Sequence, residues 1–153
     1  MSQRPVLHLL KLCVGAASVE DLLDWRERRR AEAVASGADP TFRHVTRMWP
    51  RRADELLAGG SLYWVFKGAV LARQRILALD RCDLGDGVER CAIVLDDEVI
   101  RTRPQPRRPF QGWRYLSPEE APPDLDAADA PSSLPHALQA ALAELGVGRR
   151  SRR

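Results

Sequence analysis

Lysine is nearly absent from this sequence. Of the 24 basic residues among 153, only Lys11 and Lys67 are lysines and the rest are arginines. Cysteine is scarce too: Cys13, Cys82 and Cys91 are odd in number, widely spaced and never arranged as CxxC. That excludes a disulfide framework and a zinc ribbon, and points to a reducing compartment. No long hydrophobic run occurs. The apolar stretch 6–14 is interrupted by His8 and Lys11 and is too short to span a bilayer. No small-residue cleavage site follows it, so a cytoplasmic protein without membrane contact is expected.

Catalytic signatures are missing as well. The chain has no GxxxxGK[ST] phosphate loop, no GxGxxG turn, no GxSxG elbow and no HExxH pair. Neither a cofactor nor a metal is expected. Gly59-Gly60 reads as a helix stop rather than a phosphate cradle. Asp54 and Glu55 are adjacent and diverge on a helix, so they do not form an acid–base pair.

What is present is a segregated charge pattern. The net charge is +3, and four positive charges lie in the terminal RRSRR, so the rest of the chain is close to neutral. Residues 43–52 carry Arg43, Arg47, Arg51 and Arg52 without an acid, and residues 101–114 carry five arginines without one. Residues 119–144 hold acids and no Lys or Arg. Two readings stay open: the acidic and basic segments neutralise each other, or a cationic face attracts phosphate.

The pattern of apolar residues predicts an α+β single domain. Its centre is expected to be a strongly bent, mostly antiparallel sheet or small barrel with flanking helices. Strands are expected at 6–14, 44–48, 61–66, 69–79, 88–95 and 99–103. Residues 69–79 fit either strand alternation or helix, and the Asp86-Gly87 turn that follows favours a strand. Ser18 should cap a helix over 18–35, with Glu20 and Asp21 in its first turn. There 26–30 (RERRR) reads as a solvated face and Asp24–Arg28 as an i, i+4 pair. Pro50 and Gly59 bracket a short helix over 51–58. Residues 104–109 (PQPRRP) read as an extended edge, and Ser117-Pro118 opens one helical turn. The domain is taken as 1–123, with a linker at 124–133, an amphipathic helix at 134–146 and a disordered basic tail at 147–153.

Aromatic residues interleaved with arginine are the best chemical feature. Stacking planes beside cations are how single-stranded nucleic acid is held, although Trp64, Phe66 and Trp113 also fit a core. The candidate nucleic-acid-binding set is Arg43, His44, Arg47, Lys67, Arg73, Arg107, Arg108 and Arg114. The leading expectation is therefore an RNA- or nucleotide-binding module. A second is a non-catalytic interaction module that meets a protein partner through the C-terminal helix. A third is a small hydrolase or transferase using His44, Arg47 and Lys67.

The segments LHLLKLCVG, HVTRMWPRRADELLAGGSLYWVFKG, RQRIL and PQPRRPFQGWRYL resemble the bacterial family called domain of unknown function 1489, over residues 7–125. That resemblance implies an alphaproteobacterial origin and carries no activity or site residues. A weaker similarity is to PUA-like and ASCH-type domains, where a proline-led helix ending in glycine, here Pro50 to Gly60, precedes barrel strands beside which RNA is bound. The chain lacks their GxKTxExR-type signature, so no binding residues carry over.

Overall fold

A computed structural model describes residues 6–125. The expected linker beyond Leu125, the helix over 134–146 and the basic tail lie outside the described residues. The elements run β1 (His8–Leu12), α1 (Val19–Ser36), β2 (Phe42–Thr46), α2 (Ala53–Leu56), β3 (Ser61–Phe66), β4 (Ala69–Asp83), β5 (Glu89–Leu95), β6 (Ile100–Pro106) and β7 (Trp113–Leu116). They form one bent, mixed sheet of seven strands in the order β2-β5-β4-β3-β1-β7, with β6 on β4. The β1–β3 pair is parallel, and the other pairs are antiparallel. The architecture is sheet-dominated, with few helices.

Residues 69–79 belong to a strand, and that strand continues to Asp83. At about 3.3 Å per residue its 15 residues would reach roughly 50 Å if straight. It is not straight. Register shifts between Val70 and Ala72 and between Ile76 and Ala78 bend it, as an extra residue in one strand does. Its first half pairs with β3 and β6 on opposite edges, and its second half pairs with β5. Residues after β7 come back to β6: Leu125 N–H donates to Arg101 O and Arg103 N–H to Pro123 O, both at 2.9 Å. This strap links the β6 and β7 ends of the curled sheet.

Alternation along β1 and β3 divides the apolar residues between two clusters. Leu9, Leu62, Trp64 and Phe66 join the larger one, under α1 and α2. Leu10, Tyr63 and Val65 join a smaller one, covered by Phe110 and Leu116. Every residue of β3 is buried, as expected of a strand packed on both faces. The buried amide of Gln74 is satisfied on both sides. Its Oε1 accepts from Trp64 Nε1 at 2.9 Å, and its Nε2 donates to Asp96 O at 2.8 Å.

Ser18 caps α1 by accepting from Asp21 N–H, and Gly37 ends it at φ 78°. The RERRR run is more than a solvated face. Arg26 and Arg30 both pair with Asp97, at 3.0 and 2.7 Å, tying α1 to the β5–β6 turn. The short helix is narrower than 51–58, and the expected polyproline edge 104–109 is partly strand, because β6 runs through Pro106. Ser117 opens a single turn, its Oγ accepting from Glu120 N–H at 3.3 Å.

Gly60 joins α2 to β3 where no side chain fits. A Cβ there would lie 2.0 Å from Leu7 O and 2.7 Å from Leu56 O, both backbone atoms. Gly60→Ala is therefore expected to destabilise the fold by about 3 kcal/mol or more, read as a lower urea midpoint. An unchanged midpoint would refute this view of the junction.

Candidate functional site

The two-residue turn Lys67-Gly68 joins β3 to β4 with both residues at positive φ, 47° and 90°. Such a turn matches the twist of a hairpin. It holds the exposed Lys67 at the end of the sheet, and Arg107 N–H donates to Gly68 O at 2.8 Å, bringing the 107–109 segment beside it. Between them lies a cleft of about 850 Å³ with Leu12 and Val65 in its floor and Lys67, Arg107 and Arg108 as its charged residues. Among the described residues, no carboxylate lines it. Arg107 is oriented by Gln105 Oε1, at 2.9 and 3.2 Å. Lys67 and Arg108 form no ion pair among the described residues.

The other candidate residues are dispersed. Arg43 reaches Asp39 at 3.4 Å, and Arg47 is exposed just after β2. Arg114 stands over the Phe110 ring, 4.8 Å from its centroid. Arg73 is engaged inside the fold. Its Nε and Nη2 each donate to Asp124 at 2.7 Å, and its Nη1 donates to Ser61 Oγ at 2.8 Å.

His44 lies on the far side of the 13–16 loop, where a second cavity of about 870 Å³ opens between α1 and the sheet. Its ring meets Trp64 edge-on, with centroids 5.2 Å apart. The lysine whose charge acts on it is Lys11, whereas Lys67 lines the other cleft. Burial, and after it the Lys11 ammonium, pushes the His44 imidazole down to about 4. Burial also lowers Lys11, which sits in register between Trp64 of β3 and Trp113 of β7. Cys13, in the wall between the cavities, is pushed up to about 12, chiefly by burial, so it is a neutral thiol rather than a nucleophile.

The family model described as protein of unknown function (DUF1489) matches residues 9–148. The chain belongs to the DUF1489 family. No curated protein and no solved structure matches it. Among the described residues, no helix of this DUF1489 protein is long and apolar enough to cross a membrane.

Sequence reasoning missed Lys11 and the Gln105–Arg107 contact. The first was hidden because the sequence does not show which strands flank β1. Pairing with β3 and β7 leaves Lys11 half-buried, in register with Trp64 and Trp113. Nor was there any local sign of the Arg73–Asp124 pair, whose members are 51 residues apart.

The His44 environment has a pH consequence. With a folded value near 4 against about 6.5 when unfolded, the unfolded chain binds the proton first. Stability is thus fully present above pH 6.5 and falls as pH drops towards 4, by on the order of 2 kcal/mol after allowing for partial exposure. Burial lowers His8 as well, and its Nδ1 accepts from Ser61 N–H at 3.0 Å, so it adds a slope of the same sign. His44→Asn should remove part of the loss in chemical denaturation between pH 6.5 and 4. An unaltered slope would refute this assignment.

Proposed function

We propose that this DUF1489 protein is an RNA- or nucleotide-binding module that captures phosphate in the cleft of Lys67, Arg107 and Arg108. The observation that carries this reading is a concave site with three cations and, among the described residues, no lining carboxylate. A cation without a carboxylate partner keeps its attraction for a phosphate oxygen, and a guanidinium offers it two parallel donors. Arg114, exposed over the buried Phe110 ring, adds a further cation a few residues beyond the 107–109 segment. The curled sheet with its strap onto β6 is compatible with a small PUA-like barrel, and that likeness is part of the same proposal.

Phosphate contacts displace counterions, so binding of a short mixed-sequence RNA should weaken with salt. Three contacts imply a slope of log K against log salt of roughly −2 on a single strand. Combining Lys67→Gly with Arg108→Ala should make that slope shallower by about 1.4 and weaken binding, measured by fluorescence anisotropy. Glycine suits the positive φ of position 67, and Arg108 is exposed without an ion pair among the described residues, so stability should change by no more than about 1 kcal/mol. RNA affinity insensitive to both salt and the double variant would sink the proposal.

A separate check concerns Arg73. The neighbouring guanidinium, first through its hydrogen bonds and then through its charge, holds the Asp124 carboxyl below its ordinary range. The pair's stabilisation is present above about pH 4 and lost as pH falls through the lowered folded value. Asp124→Asn should cost about 1 kcal/mol at pH 7 and leave RNA affinity nearly unchanged. If it instead altered RNA affinity severalfold, Arg73 would belong to the binding surface.

A further inference from the structure

The helix-side cavity has a lining opposite in character to the cationic cleft beside it. From α1 come Asp21, Asp24 and Glu27, with His44 and Trp64 across from them. Asp21 is already engaged, accepting from Ala17 N–H at 3.0 Å. Asp24 and Glu27 form no ion pair among the described residues, and Arg28 shares the cavity without bridging to Asp24. The Nε2 atom of His44 is buried with no hydrogen-bond partner among the described residues. The acceptors this wall offers are therefore the two unengaged carboxylates of Asp24 and Glu27, with Arg28 as its one cation among the described residues. Its volume of about 870 Å³ is in the range of pockets that take small organic ligands.

The two chambers are neighbours. Cys13, Val14 and Ala16 line both of them, so a single loop separates a cationic site from an acceptor-rich one. Val14 on that loop is 84% exposed, so the wall between the chambers reaches the surface there. A ligand that satisfies both sides carries an anion at one end and a planar group with N–H donors at the other.

We propose that the two chambers together hold one ribonucleotide: phosphate in the cleft, sugar across Val14, and a guanine base in the helix-side cavity. This rests on the phosphate reading above and adds the identity of the base. Guanine is selected by its edge. Its N1–H and N2–H donors are adjacent and match the two oxygens of one carboxylate. Uracil presents an N–H between two carbonyls, which face the carboxylates with like polarity. Adenine and cytosine each place a ring acceptor beside the amino group. A site built to accept two donors rejects a base that lacks one of them.

Calorimetric titration of the full chain with guanosine 5′-monophosphate, uridine 5′-monophosphate and inorganic phosphate tests this. The guanine nucleotide should bind about tenfold or more tightly than the uracil nucleotide. Replacing Asp24 and Glu27 by Ala should abolish that preference while inorganic phosphate binds as well as before, or slightly better. Both positions are on a helix, where alanine is well tolerated, and a thermal melt verifies the fold. If the two nucleotides bind equally and Lys67→Gly weakens both, the phosphate reading stands and the guanine proposal is overturned. A preference that survives the loss of both carboxylates also overturns it. If none of the three ligands binds, the phosphate reading falls and takes the guanine proposal with it.

Discussion

Strand β4 has to remain hydrogen-bonded on both edges while most of its first half is buried on both faces, and the rest of the molecule is arranged around that demand. Ala69, Val70, Leu71 and Ala72 are almost inaccessible, and β3 and β6 occupy the two edges beside them. The one polar side chain fully buried on this strand, Gln74, is tolerated because Trp64 Nε1 and Asp96 O take up its amide. Loss of either partner would leave a buried polar group unmatched, which costs more than an ordinary hydrogen bond contributes. Close packing at Gly60 belongs to the same demand, since Ile76 N–H reaches Gly60 O at 2.9 Å.

The arginine-rich composition divides into two populations once the chain is folded. Arg26 and Arg30 hold the β5–β6 turn, Arg73 holds Asp124, and Arg101 reaches Glu20 at 2.9 Å. These are exposed or half-buried pairs, each of modest energy, and their effect is to fasten distant loops to the sheet. Arg107 and Arg108 belong to the second population, which converges with Lys67 on a cleft that has no carboxylate in its lining among the described residues. Acids and bases do neutralise each other across the molecule, but unevenly, and the remainder makes the cationic site.

The 13–16 loop explains why two unlike cavities adjoin. β1 ends at Leu12, Gly15 turns the chain at φ 89°, and Ser18 starts α1. The helix then descends with its acidic first turns on one side of the loop, while the Lys67-Gly68 hairpin and the 107–109 segment close on the other. A short connection between a parallel-paired strand and a helix thus places acceptor-rich and cationic surfaces one loop apart.

Local signals were decisive where short-range chemistry is decisive. Ser18 as a cap, β3 over Ser61–Phe66 and the single turn after Ser117 were all legible, because capping, turn geometry and two-face burial act within a few residues. Residues 69–79 were ambiguous, since Ala and Leu suit a helix as well as a buried strand. Pairing with three other strands settled it. The grouping of site residues could not be read from the chain. His44 was grouped with Lys67 but lines the other cavity and feels the charge of Lys11, and Arg73 was grouped with the cationic face but is tied to Asp124. By itself the sequence determined the family, the sheet-rich pattern and a supply of arginine. Only the tertiary structure decided which cations meet a carboxylate and which stay unpaired, because ion pairing depends on distances between residues tens of positions apart, which sequence spacing does not encode.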